Sequence, residues 1–462
     1  MNTLTNISSV DGRYAKLVGE TLSPFVSECA LIRYRVLVEC EYLKALAEES
    51  ALGISLTDEE KKLLDRIADV SETDAEIVKK IETEGYEGIL ATRHDVKAVE
   101  YFIKGKLKDT SLEAKSEWVH FGLTSEDVNN IAYALMLSDA VEKALGPEVE
   151  KIIGELTKFS NAHAGLAMLA RTHGQSATPT TFGKEFKVFA KRLERRMLGL
   201  KNIAIQAKLN GATGNWNAHV VAFPQIDWMS FTERFIDSFN VNRTCKLEAN
   251  LYTTQIECHD SYVAIFDTIR HINTILIGFN QDMWRYISDG WVVQKPKEGE
   301  VGSSTMPHKV NPIDFENSEG NFGIANALCE HYARKLPISR LQRDLSDSTV
   351  ERTFGLALAH SLIGYRMLLT GLGKIYVNEK AVTDALDAHP EVLAEAIQTI
   401  LRREGQTGAY EKLKDLTRGA SLTLEDIRAF VWELPLPEKV REELIALSPG
   451  SYTGYAEKIA RL

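Results

Sequence analysis

The densest run of chemistry-bearing side chains is Gly302-Ser303-Ser304-Thr305-Met306-Pro307-His308-Lys309-Val310-Asn311-Pro312. The adjacent hydroxyls of Ser303 and Ser304 can take or give protons, the Lys309 ammonium can bind an anion, and the Asn311 amide can orient a carboxylate. Pro307 and Pro312 lack an amide hydrogen and push the residue before them toward extended geometry, so the run is read as a loop. A solvated surface loop has the same composition. Further polar inserts interrupt long helical patterns: Arg13-Tyr14, Arg93-His94-Asp95, Thr124-Ser125, Thr172-His173, Gln255, and the run from Arg334 to Arg343. Taken singly, each has a plainer explanation. His94 could cap a helix beside Asp95, Thr124 and Ser125 could be caps and nothing more, and a lone His173 is more often structural than catalytic. Arg334, Arg340 and Arg343 would more often be a solvated helix end than an anion site. So many such inserts in one helical chain point to a common use.

Composition narrows what that use could be. The sequence holds no P-loop, no G-x-G-x-x-G after a strand, no H-E-x-x-H and no G-x-S-x-G, which sets aside most kinases, dehydrogenases, zinc proteases and hydrolases. A net charge of -11 argues against a nucleic acid or an anionic membrane as partner, while a local basic pocket can still take a small anion. Cys29, Cys40, Cys245, Cys258 and Cys329 are widely spread and form no C-x-x-C pair, as expected of free thiols in a reducing cytoplasm and not of a zinc site. Met1-Asn2-Thr3-Leu4-Thr5-Asn6 lacks the basic start and apolar run of a signal peptide, and no uncharged apolar stretch is long enough to span a bilayer. A cytoplasmic protein is expected.

The elements that must position these residues are helices. Leu31, Tyr34, Val38, Tyr42, Leu43 and Leu46 recur at helical spacing, and Thr57 with Glu60 reads as a capping box. Helical patterns run from Asp127 to Leu145, where Gly146-Pro147 is read as an interruption, and again from Glu148 to about His163. Arg171 to Pro179 is a non-helical insert, followed by an apolar stripe of Phe182, Phe186, Phe189, Leu193, Met197 and Leu200. Ile256 through Trp291 carries no Pro and is long enough to suggest a bundle helix. Strand-like alternation is scarce, so the fold class is all-α. The chain of 462 residues divides into an N-terminal helical domain, 1–115, a central long-helix domain carrying the Gly302–Pro312 loop, 116–372, and a small helical C-terminal domain, 373–462.

Three of these stretches carry a family likeness. Gly302 to Pro312 resembles the signature loop of the fumarase/aspartase superfamily of β-eliminating lyases. Two other regions of that superfamily are matched in order, by Thr124-Ser125-Glu126-Asp127-Val128-Asn129 and Thr172-His173-Gly174-Gln175. Within it, Arg13-Tyr14, Arg93-His94-Asp95-Val96 and Leu336-Pro337-Ile338-Ser339-Arg340-Leu341-Gln342-Arg343-Asp344 resemble the adenylosuccinate lyase family, in its bacterial type. His308 stands where fumarases usually have glycine. The resemblance covers nearly the whole chain and is weakest after about residue 420.

The resemblance implies a three-domain, fumarase/aspartase-like fold whose central helices pack with those of three further subunits into a homotetramer core. Each active site would draw on three subunits. It implies cleavage of a carbon–nitrogen bond, with adenylosuccinate giving AMP and fumarate, and SAICAR giving AICAR and fumarate. A base must remove a proton from the carbon beside a carboxylate, that carboxylate must accept the developing charge, and an acid must protonate the departing nitrogen. By resemblance Ser303 is the base, with Ser304 as second candidate, and His173 is the acid. An alkoxide needs stabilising, for which backbone amides near Gly302 and the Lys309 cation are suited, and an imidazole titrates near neutrality.

Lys309, Asn311, Thr124, Ser125 and Thr172 would hold the succinyl carboxylates, while Gln255 and Asn317 would contact substrate near the scissile bond. Arg13, Tyr14, Arg334, Ser339 and Arg343 would hold phosphate and ribose, for which the guanidinium fork is suited. Arg93, His94 and Asp95 complete the nucleotide side, with His94 paired to His173. No metal and no cofactor are expected. The loop from about Gly299 to Lys309 is expected to close on substrate. Argininosuccinate lyase or fumarase would leave Arg13-Tyr14 and the Ser339/Arg343 pair without a role. A catalytically dead scaffold would not need both His173 and Ser303, and a nucleotide-binding regulator would bind AMP but release no fumarate.

Overall fold

Residues 3–295, 306, 309–406 and 422–462 are described by the computed structural model. After the Asp11-Gly12 turn come α1 (Ala15–Val26) and α2 (Glu28–Glu48), then α3 (Asp58–Ala68), α4 (Glu72–Thr83) and α5 (Asp95–Leu107). The Thr57 hydroxyl accepts from Glu60 N at 3.2 Å while the Glu60 carboxylate accepts from Thr57 N at 2.8 Å, so the capping box forms as read. Next are α6 (Ser125–Asp139) and α7 (Gly146–Ala162), joined by a π-helical turn over Ala140–Leu145. Gly146-Pro147 therefore does not interrupt the helix. Gly146 stays right-handed and donates to Val141 O, and this wider turn accommodates a proline ring that a regular α-turn would not.

The chain continues through β1 (Ala167–Thr172), β2 (Gln175–Thr181), α8 (Phe182–Lys201), β3 (Ile205–Ala207), α9 (Asn217–Ala222), α10 (Trp228–Ser238) and β4 (Leu247–Ala249). Then come α11 (Asp260–Ser288), β5 (Val292–Gln294), α12 (Ile313–Lys335), α13 (Ser346–Glu351), α14 (Phe354–Leu372), β6 (Ile375–Val377), α15 (Glu379–Asp387) and α16 (Ala394–Arg403). The last described helices are α17 (Leu424–Trp432), α18 (Glu438–Ile445) and α19 (Ala456–Arg461). Strands pair only two by two: β1 with β2 and β5 with β6 antiparallel, β3 with β4 parallel. The architecture is helical, with small ribbons at the ends of helices.

The residues group into two compact units. One comprises Met1–Val149, Arg196–Thr274 and Gly320–Tyr365; the other comprises Glu150–Arg195, Ile275–Glu319 and Arg366–Leu462.

In the first unit, α2 is buried on more than one face. The periodic set Leu31, Tyr34, Val38, Tyr42, Leu43 and Leu46 is buried, and so are Ile32, Val36 and Cys40, which cluster with Leu64, Val78, Phe102 and Leu107. A helix buried on more than one face belongs in a core, and each large apolar side chain so buried contributes about 1.5–3 kcal/mol. On α14, Gly364 faces the Phe322 ring of α12 so closely that a Cβ would lie 2.4 Å from it.

In the second unit, Phe159 stacks on Phe186 with centroids 4.3 Å apart, and Phe279 meets Phe186 edge-on at 5.4 Å. Ile397, Leu401, Ile427, Val431 and Leu434 form a further apolar cluster. All five cysteines are free, with Cys40, Cys245 and Cys329 buried. Among the described residues, no helix is long and apolar enough to cross a membrane.

Candidate active site

The start of α6 is set by a glycine. Gly122 has φ +69°, and a Cβ there would lie 2.8 Å from His219 Nε2, so no larger residue fits. Thr124 follows as N-cap, and its amide donates to Asp127 Oδ2 at 2.8 Å. Thr124 is thus a helix cap, as the plainer reading has it, and Ser125 is the first residue of the helix. They are also half-buried at the positive end of a 15-residue helix, where amide N–H groups favour an anion.

His94 caps α5, with Nδ1 accepting from Lys97 N at 3.3 Å. That assigns the proton to Nε2, which lies 3.4 Å from Ser125 Oγ. Asp95 lies between Arg35 Nη2 at 2.8 Å and Arg352 Nη2 at 2.7 Å. Burial opposes its ionisation, yet Arg35 above all holds the carboxyl down to about 2. Asp95 is therefore fixed by protein partners. Arg93 is exposed in left-handed backbone, φ +52°.

A buried ion pair joins the next parts. Lys208 and Asp127, both wholly buried, approach to 3.1 Å. Lys208 Nζ donates to Gly211 O and Gln255 O, each at 2.8 Å, and Asp127 Oδ1 accepts from Asn210 N at 3.0 Å and Gly211 N at 3.2 Å. Gln255 N donates to Gln342 O at 3.2 Å, and its side-chain amide donates to Ala212 O at 2.9 Å. Next to Gln342, Arg343 Nη1 donates to Glu126 Oε2 at 2.8 Å. His94, Ser125, Gln255 and Arg343 are brought into one neighbourhood of the first unit.

Ser339 Oγ accepts from Asp344 N at 3.0 Å, and Asp344 takes the Arg340 amide at 2.9 Å. Hydrogen bonds, those from Ser346 foremost, hold the Asp344 carboxyl well below the usual range and set the shape of this loop. Arg334 stands apart, 74% exposed, with Glu330 at 3.7 Å. Arg13 is exposed in the turn before α1, with its guanidinium 6.0 Å from the centre of the Tyr14 ring.

The other predicted residues belong to the second unit. His173 and Gly174 form a two-residue turn between β1 and β2, with φ +53° and +75°, and Thr172 pairs with Gln175 across it. This is the left-handed pair a tight hairpin needs, and it leaves Thr172 and His173 exposed at its tip. The hairpin is pinned beside its turn and along β2. Arg171 pairs with Asp289 and lies 4.5 Å over the Trp291 ring, while Thr178 Oγ1 donates to Glu395 at 2.6 Å. Lys309 is exposed, its amide donating to Met306 O at 3.0 Å, and Asn311 and Asn317 are half-buried. Ser303, Ser304 and most of the loop expected to close on substrate lie outside the described residues.

Sequence reasoning passed over Glu126, Lys208 and His259. Glu126 was in view within the Thr124–Asn129 motif, but nothing marked it as buried. Lys208 and His259 sit in no recognisable spacing. Among the described residues, Glu126, His259 and Asp347 bring ligand-type atoms within 4.8 Å of one another. This group already holds positive charge. Arg343 pairs with Glu126, and although burial works against an imidazolium, Glu351 pushes His259 up to about 9.

Comparison with known proteins gives a consistent result. Residues 20–325 match the family described as Lyase, and residues 339–453 match the family described as Adenylosuccinate lyase C-terminal. Proteins named adenylosuccinate lyase are similar over their full length. That of Legionella pneumophila (strain Corby) is 45% identical over 465 residues, covering 100% of this chain and 99% of the relative. That of Dictyostelium discoideum is 47% identical over 466 residues (98% and 97%), and that of Escherichia coli (strain K12) 45% over 460 (99% and 98%). Among solved structures, a fumarate lyase from Mesorhizobium sp. BNC1 superposes with TM-score 0.73 at 17% identity, covering 96% of each chain. A 3-carboxy-cis,cis-muconate lactonizing enzyme from Pseudomonas putida gives 0.68 at 20%, covering 96% and 95%. These two likenesses concern the fold alone.

Proposed function

This chain belongs to the adenylosuccinate lyase family within the fumarase/aspartase superfamily of lyases, and from that premise we propose that it eliminates fumarate from adenylosuccinate, giving AMP, and from SAICAR, giving AICAR. The observation that carries the reading is end-to-end identity of 45% to 47% with proteins bearing that enzyme's name. The arrangement in the first unit supports it: an anion-favouring helix start at Thr124 and Ser125, His94 against Ser125, and Arg343 close by through Glu126.

In this reading Ser303 removes the proton beside the succinyl carboxylate, with Ser304 as its alternate. Lys309, Asn311, Thr124, Ser125 and Thr172 hold the carboxylates as negative charge builds on them. His173 gives its proton to the departing nitrogen, which leaves with the electrons of the carbon–nitrogen bond as the carbon–carbon double bond of fumarate forms. The hairpin tip supports that role, because it presents His173 outward on a short, pinned turn. Gln255 and Asn317 lie by the scissile bond. Arg13, Tyr14, Arg334, Ser339 and Arg343 hold phosphate and ribose, with Arg93, His94 and Asp95 beside them. No metal or cofactor takes part.

The same reading includes a cytoplasmic homotetramer with shared sites, and the division into 1–115, 116–372 and 373–462. An absorbance assay with adenylosuccinate tests it, followed by the same assay on His173→Ala and Ser303→Ala. Turnover by the parent is expected, with each variant losing at least about a hundredfold. A parent that binds AMP but releases no fumarate would refute the function, and a variant within about tenfold of the parent would refute that residue's role.

A further inference from the structure

We propose that Glu126 is a positioning residue for Arg343: without touching substrate, its buried carboxylate fixes the guanidinium in the orientation that meets the substrate's phosphate. This rests on the reading of Arg343 as a phosphate ligand. Glu126 is 3% exposed and accepts from Arg343 Nη1 at 2.8 Å; the Arg343 side chain keeps 18% of its surface, so it is gripped from within and still reaches solvent. A guanidinium has donors to spare, so one contact to Glu126 leaves the rest of the fork for an anion.

The surroundings argue that this is more than a stabilising ion pair. Glu126 Oε1, Asp347 Oδ2, Glu351 Oε1 and both ring nitrogens of His259 are buried with no hydrogen-bond partner. His259 Nε2 lies 3.3 Å from Glu351 Oε1 but is poorly aligned with it, and Arg343 Nη2 is 4.0 Å from Asp347 Oδ1. Burial, and then the Glu351 charge, raise the Glu126 carboxyl. Three buried carboxylates facing two cations would be a costly way to hold a core together. Such groups cluster where position matters.

Each segment that meets here also carries a proposed substrate ligand. Glu126 follows Ser125 at the start of α6. His259 follows Gln255 in the turn leading to α11, with φ +61° and its amide held by Glu257 at 2.6 Å. Asp347 and Glu351 are on α13, directly after the loop bearing Ser339 and Arg343. The buried group ties these segments together from behind.

Steady-state kinetics on adenylosuccinate and on the same compound without its phosphate test the proposal. Glu126→Ala should raise KM for the phosphorylated substrate about tenfold, since a hydrogen bond to a charged group is lost, with kcat within about threefold. The phosphate-free compound should be indifferent to the change. Glu126→Gln, which can still accept from Nη1, should restore KM to within about threefold of the parent. If Glu126→Ala does not fold, Glu126→Asp, whose carboxylate draws back from Nη1, should show the same selective rise. Added to Arg343→Ala, either change should have no further effect. An unchanged KM, an equal loss on both substrates, or a loss confined to kcat would overturn the proposal. A parent inactive on adenylosuccinate would instead overturn the function on which it rests.

Discussion

His219 shows how one side chain can couple this protein to pH. It is wholly buried, with Tyr42 Oη 2.9 Å from Nε2 and no hydrogen-bond partner at Nδ1. Burial, against a weaker pull from Asp127, pushes its pKa down to about 4. An unfolded histidine titrates near 6.5, so between that value and about 4 the unfolded chain takes up a proton that the folded one refuses. The contribution is therefore complete above about pH 6.5 and declines as pH falls, by about 2 kcal/mol at pH 5. Denaturant midpoints compared at about pH 7.5 and about pH 5 should fall less in His219→Gln than in the parent, and equal falls would refute the assignment. At this scale the sequence was informative where a residue acts locally. His94 and Thr124 are caps as their types and positions suggest, and Thr57 with Glu60 forms its box. It was silent on Lys208, Glu126 and His259, because their partners come from distant segments and no spacing encodes such a meeting.

At the scale of elements, α12 and α14 give a test in which propensity and packing disagree in sign. Replacing a helical glycine by alanine ordinarily favours the helix by about 1 kcal/mol. Gly364→Ala should instead destabilise by about 1–3 kcal/mol, because the added carbon would fall 2.4 Å from the Phe322 ring. Thermal unfolding decides it, and a variant as stable as the parent would mean that the ring can move aside. Helices were the legible elements, since the apolar period shows along α2 and α11 and the caps at Thr57, His94 and Thr124 mark the starts of α3, α5 and α6. The ribbons were not. Arg171 to Pro179 reads only as non-helical, because a polar hairpin has no apolar alternation, and its paired left-handed turn residues, His173 and Gly174, are plain only in the backbone. The turn at Ala140–Leu145 was hidden for another reason: Gly-Pro normally signals a break, and only a change of helix type lets the backbone continue.

For the whole molecule, the proposed sharing of active sites predicts complementation. Mixing inactive His173→Ala with inactive Ser303→Ala, followed by subunit exchange, should restore turnover if the two groups reach each site from different subunits. No recovery, despite exchange confirmed by mass labelling, would mean that one subunit supplies both. The family was legible because its motifs are contiguous, whereas each compact unit is assembled from three separate stretches that no local spacing encodes. One further property follows from Lys208. Its ammonium bridges Asp127, Gly211 O and Gln255 O with no access to solvent. Withdrawal of Asp127 would strand a buried charge, and withdrawal of either carbonyl would leave an ammonium proton unsatisfied, so this corner resists loosening piece by piece. The start of α6, the Gly211 turn and the Gln255 segment should exchange their amide hydrogens together, as a single cooperative opening.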